Sequence, residues 1–180
     1  MSGAETAEAP KTAEDTVLTC GEIGLETLAA LCARYGLTLH QVDPGAEIPG
    51  SYWGAPEAGI LSASTGAAVW IRDDTPVHSF LHETCHVVCM DGNRRAAFDT
   101  EAGGTDVEEN AVCYLQIVLA DALDGVGRAR LMADMDAWGY SFRLGSTRSW
   151  FEQDAEDAHQ FLRAHGLLDA ADRPMFRLRA

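Results

Sequence analysis

The stretch Thr75 to Gly92, TPVHSFLHETCHVVCMDG, constrains the chain more than any other. It holds His82-Glu83-Thr84-Cys85-His86, an H-E-x-x-H sequence, inside what reads as a helix. Thr75 is expected to cap the N-terminus, Pro76 fits the first helical position, and Gly92 supplies the left-handed residue that ends many helices. Between these ends Val77, Phe80, Leu81, Thr84 and Val88 recur at helical spacing. Four residues slightly exceed one turn, so His82 and His86 share a face and can hold one metal ion, with Glu83 beside it as a general base. Zinc is the ion expected: it lowers the pKa of a water towards 7 and polarises a carbonyl under attack.

Two histidines need a third protein ligand. A second helix is expected from Asp106 to about Leu123, with Ala111, Val112, Leu115, Val118, Leu119 and Ala122 on its core face. Glu108 has the phase of that face and is the expected ligand, since an inward carboxylate is costly to bury without a partner. Thr105-Asp106-Val107-Glu108 also fits a capping box, in which Glu108 would only satisfy a backbone N–H. Glu109 points about 100° away and is the reserve ligand. His78 stands four residues before His82, too far along the helix axis for the same ion, and reads as a surface residue or a support for the ligands. Cys85 and Cys89 read as small buried packing residues.

The remaining segments suggest an α+β fold in one domain, residues 17–180, after a disordered tail over 1–16. A helix is expected over 24–36 and a strand over 37–42. Gly59 to Ser64 and Ala67 to Ile71 should form a hairpin around Ser64-Thr65-Gly66. This small antiparallel or mixed sheet should pack on the H-E-x-x-H helix and the Glu-bearing helix, giving a core over 23–122. Residues 93–104 read as a mobile polar connection. Residues 123–180 should be a helical extension, with helices at RARLMADMDAW and Glu152–His165 around an irregular 139–151.

Charge narrows the function classes. Against 28 acidic residues there are 13 basic ones, a formal net charge of −15, and Lys11 is the single lysine. A large phosphate-binding surface is therefore not expected, so nucleic acid is excluded as a partner and a protein or peptide is favoured. The first residues lack a basic start and an apolar run, and no window is long enough to span a membrane. The odd count of five cysteines suggests reduced thiols in a cytoplasmic protein.

The two helices resemble those of the ImmA/IrrE-type metallopeptidases, a gluzincin-like group. SFLHETCH matches the motif helix. VEENAVCYLQIVL matches the second helix, where Ala111, Tyr114, Val118 and Leu119 follow Glu108 at the family's spacing. The resemblance implies zinc held by His82, His86 and Glu108, Glu83 as general base, and limited proteolysis, often of a helix-turn-helix repressor. The chain departs from the family in having Cys85 for the usual Gly, Val112 for the usual Asn or Asp, and no Met-Pro after the second helix. A non-enzymatic regulatory module with a structural metal site, or a zinc amidase acting on a non-peptide amide, is the alternative. By chemistry alone, Tyr140, His159, Arg148 and Tyr52 are the donors available for an oxyanion or a substrate.

Overall fold

The alternating segments of the N-terminal half form a three-stranded mixed sheet in the order β1-β3-β2. In this computed structural model residues 17–63, 66–99 and 101–180 are described. The expected tail over 1–16 and the turn residues Ser64 and Thr65 lie outside them. β1 (Thr38–Gln41) runs parallel to β3 (Gly66–Ile71), and β2 (Gly59–Ala63) runs antiparallel to it. The register aligns Leu39, Val69 and Ile60 in one row, and Val69 and Ile60 are fully buried there. Two helices precede the sheet, α1 (Cys20–Ile23) and α2 (Leu25–Arg34).

The chain passes from β3 through a tight turn into α3 (Val77–Cys89), which carries the H-E-x-x-H sequence. Its start differs from expectation. Pro76 is the N-cap, and the Thr75 hydroxyl instead accepts from the Arg72 N–H at 2.9 Å, closing the turn after β3. The N–H of Val77 is satisfied by the Leu18 carbonyl at 2.9 Å, so the segment before α1 caps this helix from outside. Its end differs too. α3 stops at Cys89, and Asp91 caps a further helix, α4 (Gly92–Ala97), by accepting from the N–H groups of Asn93 and Arg94. Gly92 therefore begins a helix and does not close one: the Asp91 side chain offers the backbone a better alternative than a left-handed stop.

α3 lies against β2 and β3 on one side and α5 (Asp106–Leu119) on another. Val77, Phe80, Leu81, Cys85, Val87, Val88 and Cys89 are all fully buried, the pattern of a helix enclosed on most of its circumference. Opposite them α5 buries Ala111, Val112, Leu115 and Leu119 completely. The five cysteines are all buried and free, and Cys85 and Cys89 serve as packing residues. No described helix is long and apolar enough to cross a membrane.

Residues 123–180 enclose α5 from the far side with α6 (Gly127–Trp138), α7 (Thr147–Gln153) and α8 (Glu156–Ala164). One long final helix was expected from Glu152; the chain instead breaks at Asp154 and Ala155. Beyond α8 the chain returns to α3. The Arg179 N–H donates to the Val88 carbonyl at 3.0 Å, and its guanidinium reaches the Cys89 carbonyl at 3.2 Å and the Glu108 carboxylate at 3.1 Å. Arg94 of α4 grips the same carboxylate, whose side chain is only 5% exposed.

Removing a charged donor from a buried carboxylate costs about 1.5–3 kcal/mol. Arg179→Ala is accordingly expected to destabilise the fold by that amount, read as a lower midpoint in chemical denaturation with an unchanged slope.

Candidate metal centre

Helical spacing sets the imidazoles of His82 and His86 side by side on α3, with their Nε2 atoms 3.0 Å apart. The carboxylate that meets them comes from α5, and it belongs to Glu109. Its Oε1 lies 3.2 Å from His82 Nε2 and its Oε2 lies 3.4 Å from His86 Nε2. Glu108, the expected ligand, is turned to the other side of α5 and held by Arg94 and Arg179. The inward Glu108 is partnered, by two guanidinium groups and not by a metal site. The capping alternative is met only in part: the Thr105 hydroxyl accepts from the Glu108 N–H at 3.3 Å, while the Glu108 side chain goes to the arginines.

The two Nε2 atoms thus lie 3.0 Å apart, and each meets its own oxygen of the Glu109 carboxylate, at 3.2 and 3.4 Å. Donors bound at about 2.0–2.1 Å to a tetrahedral ion lie about 3.4 Å from one another, so these separations are close to those of groups that share one ion. Glu83 completes the constellation, with a carboxylate oxygen within 4.8 Å of both imidazoles. Burial pushes its pKa up, helped by Glu57 and Glu109 and opposed by His82, to about 7. Burial, with the neighbouring His82, holds His86 down at about 3, so its imidazole is neutral, as a metal ligand must be.

Gln116 is the residue that sequence reasoning missed. It is fully buried on α5, and its Oε1 lies 2.7 Å from His82 Nδ1. A carbonyl oxygen accepts from that nitrogen, which orients the ring and points Nε2 at Glu109. Burial by itself would lower the His82 pKa, but Tyr140, Cys113 and Glu109 raise it well above the ordinary value, so without an ion Nε2 carries a proton that a metal would displace. The signal was present: a glutamine between Leu115 and Ile117 in an otherwise apolar run. Cys113 was missed as well; its Sγ lies within 4.8 Å of the His82 and Glu109 donors.

Two clefts open onto this group. The first, about 390 Å³, is lined by Tyr52, Trp53, the three donor residues, Glu83 and the loop 101–106. That loop passes close over Glu108: at Gly104, with φ of 119°, a Cβ would come 2.8 Å from Glu108 Oε1. The second, about 500 Å³, shares Trp53, His82, Glu83 and Glu109 with the first and is also lined by Glu57, Ser79, Trp138 and Tyr140. α6 ends at Gly139 in the left-handed conformation, with the Tyr140 N–H returned to the Met135 carbonyl at 3.0 Å, and this turn delivers Tyr140 to the cleft. The Tyr140 hydroxyl lies 3.4 Å from Nδ1 of His78, which is buried behind the site and not at the surface. Burial raises the Tyr140 pKa to about 12, keeping its O–H as a donor.

Of the four donors named from sequence, Tyr140 and Tyr52 line these clefts. His159 faces Asp172 at 2.7 Å, and Arg148 pairs with Glu152 on the exposed side of α7; neither lines either cleft. No family model, curated protein or solved structure matches the chain.

Groups that orient a ligand from behind typically tune metal affinity 10–100-fold. Gln116→Leu is expected to weaken zinc binding by about that factor in a competition titration against a chromogenic chelator.

Proposed function

We propose that this chain is a zinc-dependent hydrolase of peptide bonds, with His82, His86 and Glu109 as the metal ligands and Glu83 as the general base. The observation that carries this reading is the meeting of the His82 and His86 imidazoles with the Glu109 carboxylate, at contacts of 3.0–3.4 Å, facing open clefts with the Glu83 carboxylate alongside. A zinc ion bound there supplies Lewis acidity, polarising a carbonyl and making water a nucleophile near neutral pH.

The chain's own residues supply the rest. Glu83 takes a proton from the attacking water and returns it to the amine nitrogen as the C–N bond breaks, so it ends the cycle ionised as it began. Tyr140 donates its O–H to the carbonyl oxygen as negative charge develops there. His78, neutral and buried, accepts from that hydroxyl before substrate arrives and helps set its direction. Gln116 holds His82 in the tautomer that ligation needs.

The resemblance to the ImmA/IrrE-type metallopeptidases supports limited proteolysis of a protein substrate, with one amendment. The register of that resemblance assigns the ligand to Glu108, whereas this proposal assigns it to Glu109. Two clefts that meet at the donors leave room for more than a small amide, which favours a peptide.

The test is cleavage of a fluorogenic peptide library by zinc-supplied protein. Glu83→Gln should retain zinc and lose cleavage altogether. Tyr140→Phe should lower kcat about 10²–10³-fold with little change in KM, the effect of losing one oxyanion donor. Cleavage retained in Glu83→Gln would refute the role of Glu83.

A further inference from the structure

The walls of the two clefts carry more negative charge than the metal centre uses. A divalent ion at the donors is balanced by Glu83 and Glu109. Glu101 and Asp106 remain in the first cleft and Glu57 in the second. No arginine or lysine is among the described residues lining either cleft. The Arg94 guanidinium, close to Gly104 of the first cleft, is held by Glu108 and Asp91. Glu57 is fixed by the Trp138 indole N–H, which donates to it at 2.8 Å.

Trp53 is shared by both clefts and is 79% exposed; Tyr52, 59% exposed, stands edge-on to it at 5.0 Å. A large indole left this exposed beside a candidate active site presents its π-face to whatever enters. Trp is the aromatic that best attracts a cation, and the carboxylates around it add charge of the same sign as its face. An anionic side chain would be repelled from both clefts, and a neutral one would leave the carboxylates without a partner.

Resting on the hydrolase reading above, we infer that the clefts select peptides carrying arginine or lysine beside the scissile bond, with the cationic side chain between Trp53 and the carboxylates of Glu57, Glu101 and Asp106. The net charge of −15 draws such peptides in at longer range.

The test is binding, kept separate from turnover. The probe is an acetylated, amidated alanine-rich hexapeptide with two central arginines, compared with its citrulline counterpart by isothermal titration of zinc-supplied Glu83→Gln protein. The arginine peptide should bind at least about 10-fold more tightly, which is the effect of roughly 1.4 kcal/mol of added cation–π and charge attraction, and the margin should shrink with salt. Trp53→Ala, and Glu101→Gln combined with Asp106→Asn, should each cut the preference several-fold. Glu26→Gln with Asp124→Asn, exposed positions outside both clefts, should leave it intact. Equal affinity for the two peptides would overturn the inference. So would an equal loss of preference in the Glu26 and Asp124 variant, which would assign it to overall charge. Absence of any Glu83-dependent cleavage by the wild type would instead count against the hydrolase reading, whatever the binding preference.

Discussion

A buried carboxylate between two arginines governs the site. Glu108 is almost fully enclosed, and its partners come from distant parts of the chain: Arg94 from α4, just past the end of α3, and Arg179 from the segment that returns after α8. A charge in that position cannot turn towards the histidines without taking from Arg179 its carboxylate and from Arg94 the nearer of its two. The rotation of α5 about its axis is thereby set, and the adjacent residue, about 100° further round, is the one that faces α3. Glu109 meets His82 and His86 because Glu108 is held elsewhere.

The same pairing explains what residues 92–99, 101–104 and 174–180 contribute. α4 and the returning segment tie the end of α3 to the start of α5, the two helix ends between which the donors must be kept in register. Glycine at 104 lets the intervening loop lie over Glu108 and still line a cleft. The sheet acts from the other side, with β3 leading into α3 through the Arg72–Thr75 turn. The donors thus rest on helices braced at both ends, which suits a group whose spacing must hold to a few tenths of an ångström.

Much of this was legible from periodicity. The small sheet with its hairpin, the H-E-x-x-H helix and the apolar face of α5 follow from spacings of 2 and 3.6 residues, which report local geometry and burial directly; the parallel pairing of β1 with β3 does not. What periodicity does not report is the identity of the neighbour. The phase of Glu108 marked it correctly as inward, yet the groups waiting there were two arginines, one of them 71 residues away. Gly92 was misassigned for a related reason: a glycine after an apolar run resembles a stop signal, but Asp91 before it is the stronger local group. Gln116 was visible as a polar interruption of an apolar stripe, and its meaning appeared only once His82 was placed against it.

The central claim is that Glu109, and not Glu108, joins the two histidines around a metal ion. The most direct measurement is elemental analysis of zinc in purified, zinc-supplied wild type beside His86→Ala, Glu109→Ala and Glu108→Gln. About one zinc per chain in the wild type and in Glu108→Gln, with loss in His86→Ala and Glu109→Ala, is the result this account predicts. Zinc retained in Glu109→Ala and lost in Glu108→Gln would contradict it, and a wild type that takes up no metal would remove the hydrolase reading altogether.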